Sequence, residues 1–192
     1  LIGKDLAGEH WQPYAAVYEQ LYFSFYESTL VMYEGQYHLF GDARVLPLKV
    51  LWDYTYYWGV LAALWFGGRI AELPTLSRLR PELAEAKALN VAVQRLLRDW
   101  GHANRAKPAP AAAAPRFLDQ ARVDWFAELN RSLREAHDES SFRTALRANV
   151  QRLRDLAREL LTLAQAEGME PDAALTALLA TAPPALHEDL LR

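Results

Sequence analysis

The sequence has no cysteine, only two methionines and no apolar stretch of membrane-spanning length. Without cysteine, disulfide bonds and thiolate metal sites are excluded, and we expect a cytoplasmic location because a cysteine-free chain fits a reducing compartment. The longest apolar run has 13 residues, 54–66, whereas a transmembrane helix needs about 20. The sequence therefore predicts no transmembrane segment, and it predicts a buried core helix at this place.

Neither sign of charge is in excess, since 21 basic and 24 acidic side chains leave a net charge of −3. Nucleic-acid-binding domains carry basic patches, so we expect no nucleic-acid partner. The chain also lacks the Gly-x-Gly-x-x-Gly, phosphate-loop, Gly-x-Ser-x-Gly and His-Glu-x-x-His motifs. The sequence therefore assigns no catalytic, cofactor-binding or metal-binding residue to this chain.

Aromatic residues are concentrated near the beginning, where residues 1–66 hold 17 of the 22. Tyrosine recurs at every fourth position over residues 14–26, which predicts a helix over about 12–40 with one tyrosine-rich face. A second helix is predicted over about 47–66, because residues after Asp53 are apolar on every side. The short connection between the two helices predicts an antiparallel pair.

The remainder of the chain alternates charged and apolar residues at helical spacing, which predicts long helices at about 81–105, 116–137 and 139–167. No stretch shows strand alternation bounded by hairpin turns. The predicted fold class is therefore all-α, an irregular bundle of about five to seven helices. The last long helix carries a heptad seam that should pack on another helix, formed by Leu146, Val150, Leu153, Ala157, Leu160 and Ala164.

Low-complexity alanine and proline sequence occupies residues 107–116. Such sequence favours extended, exposed backbone, so we interpret it as a linker. It divides the chain into an aromatic-rich helical region, 1–106, and an amphipathic helical hairpin with short terminal helices, 117–192.

Six side chains in the aromatic region are candidates for contact with a substrate. Phenol and indole groups suit an aromatic or acyl ligand, and a carboxylate in so apolar a helix must be paired or functional. The alternative for each residue is core packing, with Asp53 paired to Lys49 four positions earlier. The candidates are Tyr22, Tyr26, Trp52, Asp53, Tyr56 and Trp58.

Two stretches carry a family resemblance: Tyr-Glu-Gly-Gln-Tyr-His-Leu-Phe-Gly-Asp at 33–42 and Lys-Val-Leu-Trp-Asp-Tyr-Thr-Tyr-Tyr-Trp-Gly at 49–59, preceded by Asp-Leu-Ala-Gly-Glu at 5–9. Over about residues 1–70 they resemble the C-terminal helical region of FAD-dependent oxidoreductases of the tryptophan-halogenase-like (flavin-dependent halogenase) superfamily. The flavin-binding glycines, the catalytic lysine and the Trp-x-Trp motif of that superfamily lie upstream of the matching region. None is carried onto this sequence, and neither Lys4 nor Lys49 is given the catalytic role.

The resemblance implies that this chain is the C-terminal part of a larger α/β flavoprotein, and the start at Leu1 rather than at a methionine agrees with that expectation. An upstream domain of the same polypeptide would bind FAD and perform halogenation or hydroxylation. The helical region would help to wall the substrate side of that domain, facing a small aromatic or acyl substrate, and would not be catalytic alone. Part of an aromatic face should then stay exposed in this chain.

A second interpretation stays open at this point. The heptad seam and the lack of catalytic residues also fit a stand-alone helical interaction or oligomerisation module without catalytic activity. A chain whose own helices fully cover both aromatic faces would favour that interpretation.

Overall fold

The computed structural model describes residues 5–8, 10–106, 120–181, 185–186 and 190–191. Most of these residues lie in helices or turns, and no strand occurs among them. The helices are α1 (Gln12–Leu30), α2 (Val45–Tyr56, continued by Tyr57–Ala62 and Ala63–Phe66), α3 (Leu73–Arg78), α4 (Arg80–Ala106), α5 (Asp124–Ser132), α6 (Glu139–Ala166) and α7 (Ala173–Ala180). Two 3-10 turns, Tyr37–Leu39 and Gln120–Arg122, complete the set.

The all-α prediction is confirmed for the described residues, and their seven helices fall within the predicted range. Among these helices, none is both long enough and apolar enough to cross a membrane. The predicted linker at 107–116 lies outside the described residues.

The first helix is shorter than predicted, since α1 ends at Leu30 and not near Phe40. The tyrosine spacing continues past this end, but Gly35 adopts a left-handed backbone with φ of 70°, which a helix does not accommodate. Turns follow α1, and the Gln36 side chain enters the interior to donate a 2.9 Å hydrogen bond to the Gln94 carbonyl. A tertiary contact therefore replaces the predicted last turns of the helix.

The second helix runs through the apolar stretch as predicted, but its middle is wound differently. Residues Tyr57–Ala62 take π geometry between two α-helical parts. The helix ends at Gly67 and Gly68, the latter with φ of 69°, as the glycine pair predicts. A π turn shifts the register of the backbone hydrogen bonds, and such turns are often found at functional sites.

The predicted heptad seam is buried, and its principal partner is α4. The contact between α4 and α6 is the most extensive one between helices of the described residues, and all six seam residues belong to its core. Two ion pairs connect α4 and α6 beside this core: Arg154 pairs with Glu85, and Arg147 Nε lies 2.8 Å from Glu82 Oε1. The apolar stripe of α4, which includes Leu89, Val93, Leu97 and Trp100, faces the same core.

Of the two helices predicted after the linker, α6 has nearly the predicted bounds and α5 is shorter than predicted. Helix α6 begins where Asp138 Oδ1 accepts a 2.7 Å hydrogen bond from the Ser141 N–H, which is a capping contact. Helix α5 is shorter than the predicted 116–137 helix, because the chain turns after Ser132 and only the 3-10 turn precedes Asp124 among the described residues. Leu175 of α7 joins the same core as α6.

Helix α1 does not pack mainly against α2, as the expected antiparallel pair would require. Helix α1 makes its closer helix contact with α4, where Asn90 Nδ2 donates a 3.0 Å hydrogen bond to the Ser28 carbonyl and Lys87 lies 2.8 Å from Glu27. A groove remains between α1 and α2. Polar contacts to α4 therefore set the position of α1, where the sequence suggested apolar packing on α2.

Candidate functional site

The six candidate residues do not form one site. Trp52, Asp53 and Tyr56 lie on the inner side of α2, while Trp58 packs toward α5. Tyr22 and Tyr26 stand on the outer face of α1. The six residues therefore lie in four different places: a buried polar cluster, a groove, a small cavity and an exposed aromatic face.

Asp53 forms an ion pair. The core-packing alternative to a functional role predicted this pair. Its carboxylate pairs with the ammonium group of Lys49, one turn earlier on α2, and accepts a 2.6 Å hydrogen bond from Gln94 Nε2 on α4. Lys49 also donates a 2.7 Å hydrogen bond to the Met32 carbonyl. Burial raises the pKa of Asp53, and Lys49 and Gln94 act in the opposite direction. The Lys49–Asp53 pair thus links α2 to the segment that follows α1 and to α4.

Trp52 is fully buried, and its indole N–H donates a 2.9 Å hydrogen bond to Asn90 Oδ1. The same amide joins Trp52 to α1, because Asn90 Nδ2 reaches the Ser28 carbonyl. Gln94 lies one turn further along α4 and completes this polar cluster. Both amides are buried, where a polar group costs free energy unless it is hydrogen-bonded.

The two amides of α4 were missed at the sequence level. A signal for them exists, since Asn90 and Gln94 directly follow Leu89 and Val93 of the predicted apolar stripe. Polar residues beside such a stripe indicate a buried hydrogen-bonding position. Their partners on α1 and α2 could not be read from the sequence, because the partners lie 38 to 62 residues away.

Tyr56 lines the groove between α1 and α2, which has a volume of about 610 Å³. Its ring is buried, and burial raises the pKa of its hydroxyl, while hydrogen bonding with the nearby Ser28 side chain opposes the rise. The groove walls come from α1, from the π turn of α2 and from α3 and α4, and they are mainly apolar. Its size and its few polar groups are typical of small-molecule sites, which span roughly 300–1,000 Å³.

Trp58 borders a second and smaller cavity of about 200 Å³. The Trp58 ring lies 4.8 Å from that of Phe126 on α5. Across the cavity, the Arg152 guanidinium lies 5.6 Å above the Trp125 ring, and its burial lowers the pKa of that group. The cavity wall also includes Glu128, so charges of both signs meet there.

Tyr22 and Tyr26 form an exposed aromatic face with their neighbours on α1. The Tyr22 side chain is 64% exposed and that of Tyr26 is 50% exposed. Their rings stack at 6.2 Å between centroids, and the Phe23 ring meets Tyr22 edge-on at 5.4 Å. Further exposed residues of the same segment are Tyr14, Val17, Leu30 and Tyr33.

The expectation that an aromatic face stays uncovered is confirmed for this part of α1, and Trp65 at the end of α2 is also exposed. Within the α2 region Tyr56 is buried and Trp58 is half-buried, so the exposed part there is the end of the helix. Contiguous apolar patches on a protein surface indicate a contact site for another molecule or domain.

Within the described ranges, no three histidine or acidic side chains come together as they would around a metal ion. Among the described histidines, His38 and His102 stack their rings at 3.7 Å, and His38 Nε2 is 2.9 Å from the Arg98 carbonyl.

No protein family, curated protein or solved structure matches this chain at a significant level. The resemblance to flavin-dependent halogenases accordingly rests on the quoted sequence stretches alone.

Proposed function

We propose that this chain is the C-terminal helical part of a flavin-dependent oxidoreductase of the halogenase-like or monooxygenase-like kind. Its role is to wall the substrate side of an FAD domain encoded upstream in the same polypeptide. The substrate is a small aromatic or acyl compound. The chemistry belongs to the upstream domain, and this chain supplies shape and contacts.

The observation that carries the proposal is the exposed aromatic face of α1, centred on Tyr22 and Tyr26. Each ring exposes apolar area that burial against another domain would stabilise. The face directly precedes the first of the two stretches that resemble the superfamily, 33–42. The resemblance and the exposed face therefore both support the proposal that this surface of α1 contacts the flavin domain.

FAD itself does not fit this chain. Dinucleotides bind where a glycine-rich turn leads into a helix N-terminus, because the backbone N–H groups there donate hydrogen bonds to the pyrophosphate. The sequence holds no such glycine pattern, and the groove beside Tyr56 has apolar walls. An upstream domain would have to hold the flavin, which accounts for the lack of catalytic motifs here.

Hydrogen exchange tests the proposed contact. The exchange of backbone amides in α1 is compared between this chain alone and the polypeptide that includes the upstream coding sequence. We expect slower exchange over residues 14–33 in the longer polypeptide, because a docked surface opens less often. Residues 146–160 of α6 serve as the internal control, since α4 covers them in both proteins. Equal exchange over 14–33 in the two proteins argues against the contact.

The stand-alone interaction module remains the second candidate function. Its heptad seam is buried against α4, so such a module would have to use the exposed face of α1 to join two copies of the chain. The two functions differ in what covers Tyr22 and Tyr26: a domain of the same polypeptide, or a second molecule. Sedimentation of the longer polypeptide separates them. A monomer with a protected α1 supports the flavoprotein, and a dimer whose association depends on Tyr22 and Tyr26 supports the module.

A further inference from the structure

We propose that the groove between α1 and α2 binds a free carboxylate with an apolar body, such as a medium-chain acyl or arylalkyl carboxylate, with the carboxylate at Arg80. The proposal does not rest on the flavoprotein assignment, because described residues of this chain alone form the groove.

The walls of the groove select an apolar ligand. Helix α1 supplies Leu21 and Phe25, the π turn of α2 supplies Val60 and Leu61, and α3 supplies Leu76. A hydrocarbon chain placed there gains roughly 0.8 kcal/mol for each buried methylene group. The groove is also deep enough to reach the Tyr56 ring of the core, so a ligand would exchange water for apolar contacts along its length.

The charges of the groove select an anion. Two cations, Arg80 and Lys87, line it, and none of its described lining residues carries a carboxylate. The two lie seven positions apart on α4, about two turns or 10 Å along the helix.

Arg80 is the cation that remains available. Lys87 already lies 2.8 Å from the Glu27 carboxylate and 3.4 Å from Ser24 Oγ. Arg80 is exposed and makes no ion pair with any described residue. A guanidinium at the edge of an apolar groove matches the planar carboxylate of an amphipathic ligand, which it can hold through two hydrogen bonds. The ligand carboxylate therefore lies at Arg80 and its apolar body lies along α1 and α2.

Isothermal titration calorimetry with decanoate, below the concentration at which it forms micelles, tests the proposal on this chain. Decanoate should bind with one site, while decanol, which has the same tail without the charge, should bind at least about tenfold more weakly. Arg80→Gln should weaken decanoate binding by about tenfold and leave decanol unchanged. The matched control is Arg105→Gln, an exposed arginine of the same helix outside the groove, which should bind decanoate as the parent does.

A steric variant tests the location independently. Ala84 is exposed and lines the groove, so Ala84→Trp should block decanoate without disturbing the core. Equal affinity for decanoate and decanol, no binding of either, or unchanged binding in both Arg80→Gln and Ala84→Trp overturns the proposal. Cosedimentation with phosphatidylglycerol vesicles but no binding of free decanoate overturns the assignment to a free carboxylate and indicates a lipid surface.

Discussion

The side-chain amide of Asn149 on α6 donates a 2.9 Å hydrogen bond to the carbonyl of Gly59, inside the π turn of α2. Gly59 is buried, and a Cβ atom at this position would lie 3.3 Å from Asn149 Cβ. The absence of a side chain therefore lets α6 approach the π turn closely enough for the hydrogen bond. This contact joins the aromatic region to the seam helix.

The first prediction follows from that hydrogen bond. Asn149→Ala should lower the free energy of unfolding by about 1–3 kcal/mol, because it leaves the Gly59 carbonyl without its partner. Urea denaturation followed by circular dichroism measures the change. Gln165→Ala, at an exposed position of the same helix, is the control and should change stability by less than about 0.5 kcal/mol. Equal stability of the two variants would show that the contact contributes nothing.

The seam of α6 gives the second prediction. Leu153 is 0% exposed in the α4–α6 contact, whereas Leu163 on the same helix is 40% exposed. Leu153→Asp should cost several kcal/mol, on the order of 3–5, because it buries an unpaired charge. Leu163→Asp should cost less than about 1 kcal/mol. Thermal melting compares them, and a Leu153→Asp variant that melts within a degree or two of the parent contradicts the buried seam.

The third prediction concerns pH. Because burial raises the pKa of Asp53 in the folded state, the folded chain binds more protons than the unfolded chain between the usual aspartate pKa of 3.8 and the raised pKa. Stability contributed by Asp53 therefore falls as pH rises through that window. Asp53→Asn lacks this titration, so the parent should lose stability relative to the variant as pH rises from the usual aspartate pKa through the raised one. Urea midpoints at several pH values measure the difference, and a gain by the parent over the same range would contradict the direction.

The exposed face of α1 gives the fourth prediction. In this chain alone, Tyr22 and Tyr26 should promote self-association, because stacked exposed rings form an apolar surface. The double variant Tyr22→Ser/Tyr26→Ser should sediment as a monomer at concentrations where the parent associates, with an unchanged melting temperature. Tyr57→Ser, a similarly exposed tyrosine on α2, is the control and should associate as the parent does. Identical sedimentation of the parent and the double variant would show that Tyr22 and Tyr26 do not mediate self-association.

The fold could be predicted best where one periodic pattern decides it. The α4 and α6 helices match the predicted 81–105 and 139–167 closely, because long amphipathic stripes specify both the helix and its buried side. The end of α1 could not be predicted from spacing, since tyrosines continue in register while Gly35 turns the chain. The π turn gave no signal, because nothing in an all-apolar stretch marks a change of hydrogen-bond register.

The candidate site was harder to predict than the fold. The Lys49–Asp53 pair was predictable because both residues lie on one helix at a spacing of four. The division of the six candidates among separate places was not, because it depends on how α1 docks on α4. That docking uses Asn90 and Lys87, whose partners are distant in sequence. The groove beside Tyr56 is a consequence of the same docking.

The flavin content of the longer polypeptide tests the central claim most directly. The coding sequence is expressed together with any coding segment found before Leu1, and the absorption spectrum of the purified protein is compared with that of this chain alone. We expect about one FAD per longer polypeptide, none on this chain, and a glycine-rich dinucleotide motif in the upstream segment. A start codon immediately before Leu1, or a longer polypeptide that purifies without flavin and fails to bind added FAD, would contradict the flavoprotein proposal.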